Sequence, residues 1–299
     1  MDRLEAMTIL AAAADTGSLS AAGRHLRVPL ATGSRRVSEL EEHLGVRLLH
    51  RGQRGLIWTD AGRSYVASCR RILEEIGDVE RTASGEYHAP QGELNISAPA
   101  VFGRMHVLPV IEEFLRAFPD IRIRLQISDR HVNLAEEHVD LAVRIGELAD
   151  SGDVIAARVG SIRLSLCASP TYLKWRGAPN TPADMMAHDC VVHEGHDHWP
   201  FFTEGVMQTI KVPSRLTVSL GEATVAAAAV GAGIARGFSY LVDDLVKSGS
   251  LVTLLEAYEP PPSPVSVIYT SQRQAPLKLR AFLDFAIPRL RERLGYRSR

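Results

Sequence analysis

Apolar residues in the first part of the chain recur at threes and fours, the spacing of one face of a helix. Leu4, Met7, Ile9 and Leu10 do so among several alanines until Asp15-Thr16-Gly17, which predicts a first helix over residues 3–14. Ser18 stands where it can cap a second, with Leu19, Ala22 and Leu26 facing inward and small Ala21 and Ala22 allowing a close crossing. Arg27-Val28-Pro29 makes a turn. Pro29 has no N–H to give and suits the start of a third helix, which runs to about Leu44 and stops at Gly45. Val37, Leu40 and Leu44 form its scaffold side, and its first turns carry Leu30, Thr32, Ser34, Arg35 and Arg36. Val46–Leu49 and Leu56–Thr59 predict two short strands around the basic tip His50–Gly55, which is a wing. From Thr59 to about His88 the period is helical again, with Val66, Cys69, Ile72, Leu73, Ile76 and Val79 on one stripe. Such a helix is about 42 Å long at 1.5 Å per residue. It outreaches a small winged unit, so its stripe predicts a partner, and a second copy of the same helix is the obvious one.

Beyond the linker Ala89-Pro90-Gln91-Gly92 the period changes. Glu93–Ala98 and Ile121–Ile127 alternate like strands, and Leu141–Gly146 is an apolar, buried-type strand, with helices expected at Val107–Phe118 and Asn133–Glu137. Further strands are predicted at Leu164–Ala168, Asp189–His193, Ile210–Val212, Leu216–Ser219, Leu251–Leu254 and Val265–Tyr269. Helices are predicted at Glu222–Val230, Tyr240–Lys247 and Pro276–Leu294. Strands alternating with helices indicate an α/β body behind an all-α, winged N-terminal domain.

Length and charge sharpen this outline. At 299 residues and 45% hydrophobic, the chain can bury a small core and one or two larger ones. No apolar run has the length of a membrane span and the N-terminus is unlike a secretory signal, so a cytoplasmic address without membrane contact is expected. Cys69, Cys167 and Cys190 are widely spaced, without metal-ligand pairing, and read as ordinary buried thiols. The formal net charge of −1 hides an asymmetry: Arg24–Arg71 carries ten arginines against four acids. A basic field over a two-helix unit points to a docked polyanion, and a helix in the major groove of double-stranded DNA fits its size. Arginine can pair with guanine edges or phosphates, and the wing arginines suit phosphates or a minor groove. The candidate DNA contacts are Ser18, Leu30, Thr32, Ser34, Arg35, Arg36, Arg51 and Arg54.

In the body, three strand ends stand out as ligand positions. Ser97-Ala98-Pro99-Ala100-Val101 leads toward a helix, where hydroxyls and free backbone N–H groups could hold an anion. Arg144-Ile145-Gly146-Glu147 ends the third strand, and Ser219–Thr224 opens a later helix. His188, His193, His196 and His198 lie close together beside Asp189, Asp197 and Cys190. Without H-E-x-x-H or cysteine-pair spacing they read as solvated or structural rather than as a metal site. No G-x-S-x-G, G-x-x-x-x-G-K or G-x-G-x-x-G is present, so neither catalysis nor a cofactor is expected.

Gly17–Ala22, Ser34–Val37, Leu40–Leu49 with Arg51, and Leu56–Gly62 together resemble a LysR-type transcriptional regulator. Glu136–Gly146 and Cys167-Ala168-Ser169-Pro170 with Tyr172-Leu173 resemble that family's periplasmic-binding-protein-like effector domain. The resemblance implies a winged helix-turn-helix at 1–58, a dimerising linker helix and hinge at 59–91, and an effector-binding domain at 92–299. The last divides into subdomain I, about 92–162 and 266–299, and subdomain II, about 163–265, with crossings near Ile162 and Val265. It places a small-molecule inducer around Ser97, Pro99, Val101, Arg144, Gly146, His193, Ser219, Gly221 and Glu222. It implies a homodimer or dimer of dimers that alters contacts with RNA polymerase. Pro29, Leu30 and Gly33 depart from the family's recognition helix, and His138 and Asn133 from its body motif. The reading is a ligand-responsive DNA-binding regulator. A stand-alone small-molecule-binding module leaves the basic unit without a purpose, and an α/β enzyme would need turnover from the His188–His198 region.

Overall fold

The computed structural model describes residues 2–52, 55–83, 89–130, 133, 134, 137, 139–148, 154–270 and 276–296, and the chain divides at Gly92/Glu93 into two units. The N-terminal unit packs α1 (Arg3–Thr16), α2 (Leu19–Leu26) and α3 (Leu30–Leu44) against a β-hairpin, β1 (Leu49–Gly52) with β2 (Gly55–Trp58), and the start of α4 (Asp60–Ala83). Local chemistry sets the helix ends. Asp2 and Ser18 side chains accept from Glu5 N and Ala21 N, at 3.2 and 3.0 Å, as N-caps. Gly17 and Gly45 stop α1 and α3 in the left-handed region, at φ 74° and 66°. Ile9, Leu10, Ala22, Leu40, Leu48 and Cys69 meet in the core.

Two expectations change in this unit. The first wing strand starts at Leu49 rather than Val46, because Leu48 N and Leu49 N donate to Glu41 Oε1 at 2.8 and 3.2 Å. The apolar stripe of α4 is also not one continuous seam for a partner. Val66 and Cys69 lie in the unit's own core, Ile72 and Leu73 pack against it, and Arg70 pairs with Asp15 of α1. Farther along, Ile76 is half-buried and Val79 is 66% exposed. The reason is proximity: a β-carbon on Gly62 would come within 1.8 Å of Leu48 O, so glycine brings the start of α4 hard against the wing. The expected helix residues 84–88 lie outside the described residues.

The second unit holds two five-stranded sheets. The first, in order β4-β3-β5-β14-β6, is built from β3 (Gly92–Ala98), β4 (Ile121–Ile127), β5 (Leu141–Ile145), β6 (Val154–Ile162) and β14 (Ser263–Thr270). The second, β11-β8-β12-β7-β13, is built from β7 (Leu164–Ala168), β8 (Cys190–His193), β11 (Ser214–Val218), β12 (Ile234–Phe238) and β13 (Val252–Leu254). A separate hairpin joins β9 (His198–Thr203) to β10 (Val206–Lys211). After β3 comes one helical run: α5 (Ala100–Phe102), a π-helical turn at Gly103–Val107, and α6 (Leu108–Ala117). The run and α10 (Leu277–Arg293) bury Phe102, Phe114, Phe282 and Leu290 against the first sheet. The second sheet is covered on one side by α8 (Gly221–Ala229) and α9 (Ser239–Lys247), and on the other by Tyr172 of α7 (Pro170–Arg176), Met185, Trp199 and Phe201.

The chain passes from the first sheet to the second between Ile162 and Leu164 and returns before Ser263, which already pairs with Ile162. The return precedes the expected Val265, a fully buried member of the first core. Arg163 sits in the first crossing, with Asp243 at 3.7 Å and Glu259 at 3.5 Å. At the expected short helix Asn133–Glu137 the chain makes a helical turn, Glu137 N donating to Asn133 O and Val139 N to Leu134 O at 3.0 Å each; residues 135 and 136 and His138 lie outside the described residues. Among the described residues no helix is long and apolar enough to cross a membrane.

Candidate functional site

Two surfaces collect the candidate residues. On α3, adjacent arginines have different surroundings. Arg35 is 64% exposed, and its ion pair among the described residues is with Glu39 of its own helix at 3.8 Å. Arg36 is 23% exposed: its Nε lies 2.8 Å from Glu5 Oε2 of α1 and its Nη1 3.4 Å from Glu39 Oε2. Arg36 is thus committed to the scaffold rather than free for a groove, while Arg35 projects. Leu30 is 50% exposed, Thr32 and Ser34 are half-buried, and the Ser18 hydroxyl is spent on its cap. Gly33 is buried beside Ile9 and cannot be a contact.

Pro29 supplies no side-chain cap, so the first N–H groups of α3 keep their dipole for an anion. The exposed Arg24 and Arg27 line, with Ser20, Gly23, Val28, Pro29 and Leu30, an open hollow of about 430 Å³ beside that end. Cations beside the N-terminus of a helix suit a phosphate backbone. The Arg51 side chain and Arg54 lie outside the described residues.

The second surface is the cleft between the sheets of the body. Glu222, on the first turn of α8, meets Arg104 of the π-helical turn across it, Oε1 to Nη2 at 3.3 Å. This pair links residues 118 positions apart on the two subdomains, and a π-turn is where helices often present functional side chains. His193, at the end of β8, reaches Ser219 O through Nε2 at 3.1 Å and His196 Nδ1 through its own Nδ1 at 3.0 Å. Gly146 takes φ 108° and donates its N–H to Pro264 O at 2.9 Å. Pro99 precedes α5, with Val101 half-buried in its first turn.

Two expected contacts are placed deeper. Ser97 is fully buried, its Oγ shut from solvent without a hydrogen-bond partner among the described residues, because its strand pairs with Ala142 of β5. Arg144 is 8% exposed opposite Ser266, its Nη1 donates to Val143 O at 3.2 Å, and burial lowers its pKa.

Three groups of the cleft carry no signal in the motifs. Asp129 accepts the Ala100 N–H through Oδ1 at 2.8 Å, so the N–H expected to be free for an anionic ligand is held by a carboxylate of the chain itself. Tyr240 of α9 packs on Phe238, Phe102 and His106 at ring distances of 5.7–5.9 Å. Burial, with the nearby Asp129 charge, pushes its phenol well above 10. His106 is held below 6.5 by burial and by Arg293, with Nε2 shut from solvent and without a hydrogen-bond partner among the described residues. Asp129 lies two residues past the end of β4, so the same strand-end reasoning extended to β4 finds it.

In the histidine-rich stretch His193 and His196 meet each other, while His188 and His198 make contacts elsewhere. His188 is buried with Nδ1 3.2 Å from Tyr172 Oη, and His198 pairs with Asp197 at 2.7 Å. Among the described residues no group of three histidine, cysteine or acidic side chains is placed to hold a metal. Burial raises the Cys69, Cys167 and Cys190 thiols to about 11, 12 and 12, which keeps them protonated.

A basic winged helix-turn-helix followed by a two-subdomain α/β body defines a DNA-binding regulator with an effector domain. Residues 4–63 match the bacterial regulatory helix-turn-helix proteins of the lysR family, and residues 88–291 match the LysR substrate binding domain. The chain belongs to the LysR family of transcriptional regulators and is not an enzyme. It is 33% identical over 292 residues to the transcriptional regulator CrgA of Neisseria meningitidis serogroup B, covering 96% of each chain. It is 29% identical over 287 residues to the activator AaeR of Escherichia coli K12, covering 95% of this chain and 93% of AaeR. The full-length virulence activator AphB of Vibrio cholerae superposes with a TM-score of 0.62 at 26% identity, over 95% of this chain and 98% of AphB.

Proposed function

We propose that this regulator reads its operator through Arg35, Leu30, Thr32 and Ser34, with Arg24, Arg27 and the N-terminus of α3 on the phosphates. A small metabolite binds in the cleft closed by Arg104 and Glu222. The observation that carries the DNA half is Arg35, exposed beside an Arg36 already committed to Glu5. The Arg104–Glu222 pair supports the ligand half: two subdomains joined by an exposed ion pair, worth only about 0–1 kcal/mol, can be rearranged by a ligand. The functional unit is a homodimer, or a dimer of dimers, that acts in the cytoplasm and adjusts contacts with RNA polymerase. Ile76 and Val79 are the part of the α4 stripe left for a partner, so Val79→Glu shifts the assembly toward monomer in sedimentation; unchanged assembly removes α4 from the interface.

The test of function is to sequence the genomic fragments that the purified chain retains at fixed, near-physiological salt. A shared, roughly two-fold symmetric site beside a few genes is the expected result. Uniform, salt-labile retention rejects sequence-specific regulation.

A further inference from the structure

Apart from the cleft, the second sheet has a recess on its Trp199 side. Along β12, Ile234 joins the Trp199 core and Ala235 the core under α8, so Arg236 follows Ile234 to the Trp199 side. Its guanidinium lies over the Trp199 ring, 5.7 Å from the centre. No carboxylate pairs with it among the described residues, and Nη1 is shut from solvent without a hydrogen-bond partner there. Burial lowers its pKa to about 10, which leaves it charged at neutral pH. A guanidinium so placed ordinarily has a partner. Glu259 lines the same recess and is 15% exposed; its Oε2 faces Arg163 at 3.5 Å, and its Oε1 is buried without a hydrogen-bond partner among the described residues.

The recess holds about 240 Å³ counted out to solvent, of which about 10 Å³ admits a water-sized group. Leu166, Phe201, Leu254, Leu255 and Pro260 are among its walls. Leu255 stands at φ 51°, a left-handed conformation that leucine rarely adopts and that tends to be kept where a ligand is held. A donor and an acceptor, both lacking partners and lining one water-sized space, suit a group that accepts from the first and donates to the second, which a hydroxyl does. A carboxylate has no proton for Glu259 and meets it at like charge, as an ammonium meets Arg236. One water serves both groups but gains nothing from apolar walls; an apolar body that carries the hydroxyl is removed from water against them.

We propose that this recess is a second small-molecule site of the effector domain, taking a neutral alcohol or phenol with its hydroxyl between Arg236 and Glu259. The site stands independently of the cleft, none of whose residues lines it. Glu259 holds Arg163, in the first crossing between the sheets, through its other oxygen, so an occupant at Oε1 bears on that crossing.

The test uses the full-length chain at pH 7 with phenol and cyclohexanol as hydroxyl probes, anisole as the ring with an acceptor oxygen but no proton to give, and benzoate at equal ionic strength. Binding is read by calorimetry and by broadening of the probe's NMR lines. At least one hydroxyl probe is expected to bind saturably, with anisole and benzoate tenfold weaker or more. Arg236→Met is expected to raise the Kd of that probe at least tenfold, and Arg104→Met to leave it unchanged. The preference for phenol over anisole is read on the wild type and needs no variant to fold. No binding of either hydroxyl probe, or anisole equal to phenol, overturns the proposal and leaves the recess to a bound water. Benzoate binding tighter than phenol and lost in Arg236→Met overturns the hydroxyl class. Phenol binding that survives Arg236→Met and is lost in Arg104→Met overturns the site and moves the ligand to the cleft.

Discussion

The winged unit and the effector domain handle charge in opposite ways. On the winged unit, Arg35, Arg24 and Arg27 stand in solvent, while pairs such as Arg36 with Glu5, Arg47 with Glu41 and Arg70 with Asp15 hold the scaffold. In the cleft, Arg104 is taken by Glu222, and Asp129 by a backbone N–H. The difference follows from the partner. DNA brings a dense, unvarying row of phosphates, so cations can wait exposed and gain by releasing counterions. A small effector brings one or two charges, and a cleft that answers to it needs internal contacts which the ligand can rearrange.

The comparison breaks most visibly if a scaffold charge is removed. Glu41 is 7% exposed and holds the N–H groups of Leu48 and Leu49 as well as Arg47. Glu41→Ala strands two buried donors and is expected to cost about 3 kcal/mol, lowering the thermal midpoint of the winged unit. A midpoint within a degree or so of wild type would mean that the wing is held by packing alone.

The two arginines of α3 come next. Arg35→Ala is expected to weaken operator binding about tenfold and to relax sequence preference, with no change in thermal midpoint. Arg36→Ala is expected to do the reverse, lowering the midpoint while leaving the salt dependence of DNA binding almost unaltered. Equal losses of affinity in both variants would erase the division between scaffold and contact charge.

The basic recognition helix, the wing and the α4 helix were legible in the sequence because their periods and stops are local: Gly17, Pro29 and Gly45 punctuate them where the structure does. Much of the body was legible as well, but β6, β9 and β12 were not. In β12, Ile234-Ala235-Arg236-Gly237-Phe238 follows a run of alanine and glycine and carries a charge, so nothing in its period announces a strand buried between β7 and β8. The arginines of α3 read alike in the sequence; only the approach of Glu5 from α1 separates them. The cleft was harder for the same reason. Ser97 and Arg144 look like ligand positions on their strands, and tertiary pairing buries them, while Arg104 meets Glu222, and Tyr240 meets Phe102 and His106, from elements far apart in the chain.

Titration gives a third way to sharpen the contrast, since the effector domain buries imidazoles. His106 and His188 both have folded-state values below 6.5, chiefly from burial. Each is therefore neutral in the native form, and its contribution is complete above the unfolded value near 6.5. As pH falls through that value the unfolded chain takes up protons first, and stability is lost downward until the native imidazoles protonate in turn. The thermal midpoint of the effector domain is expected to drop between about pH 7 and pH 5. His106→Phe is expected to flatten that slope, and an unchanged slope in this variant would assign the loss to other groups.

The smallest expected effect on stability belongs to the pair across the cleft. Arg104 and Glu222 are 59% and 58% exposed, and solvent screens their attraction, so Arg104→Met or Glu222→Gln is expected to change unfolding free energy by less than about 1 kcal/mol. Their effect on the relation of the subdomains is of similar absolute size but counts for more, because an open–closed equilibrium balanced within a few kcal/mol is shifted severalfold by such a change. Small-angle scattering of the two variants is expected to show a more open effector domain than wild type at unchanged thermal midpoint. If the midpoint falls by several degrees and the scattering is unaltered, Arg104 and Glu222 are part of the scaffold, and the cleft keeps its charges for the same purpose as Arg36.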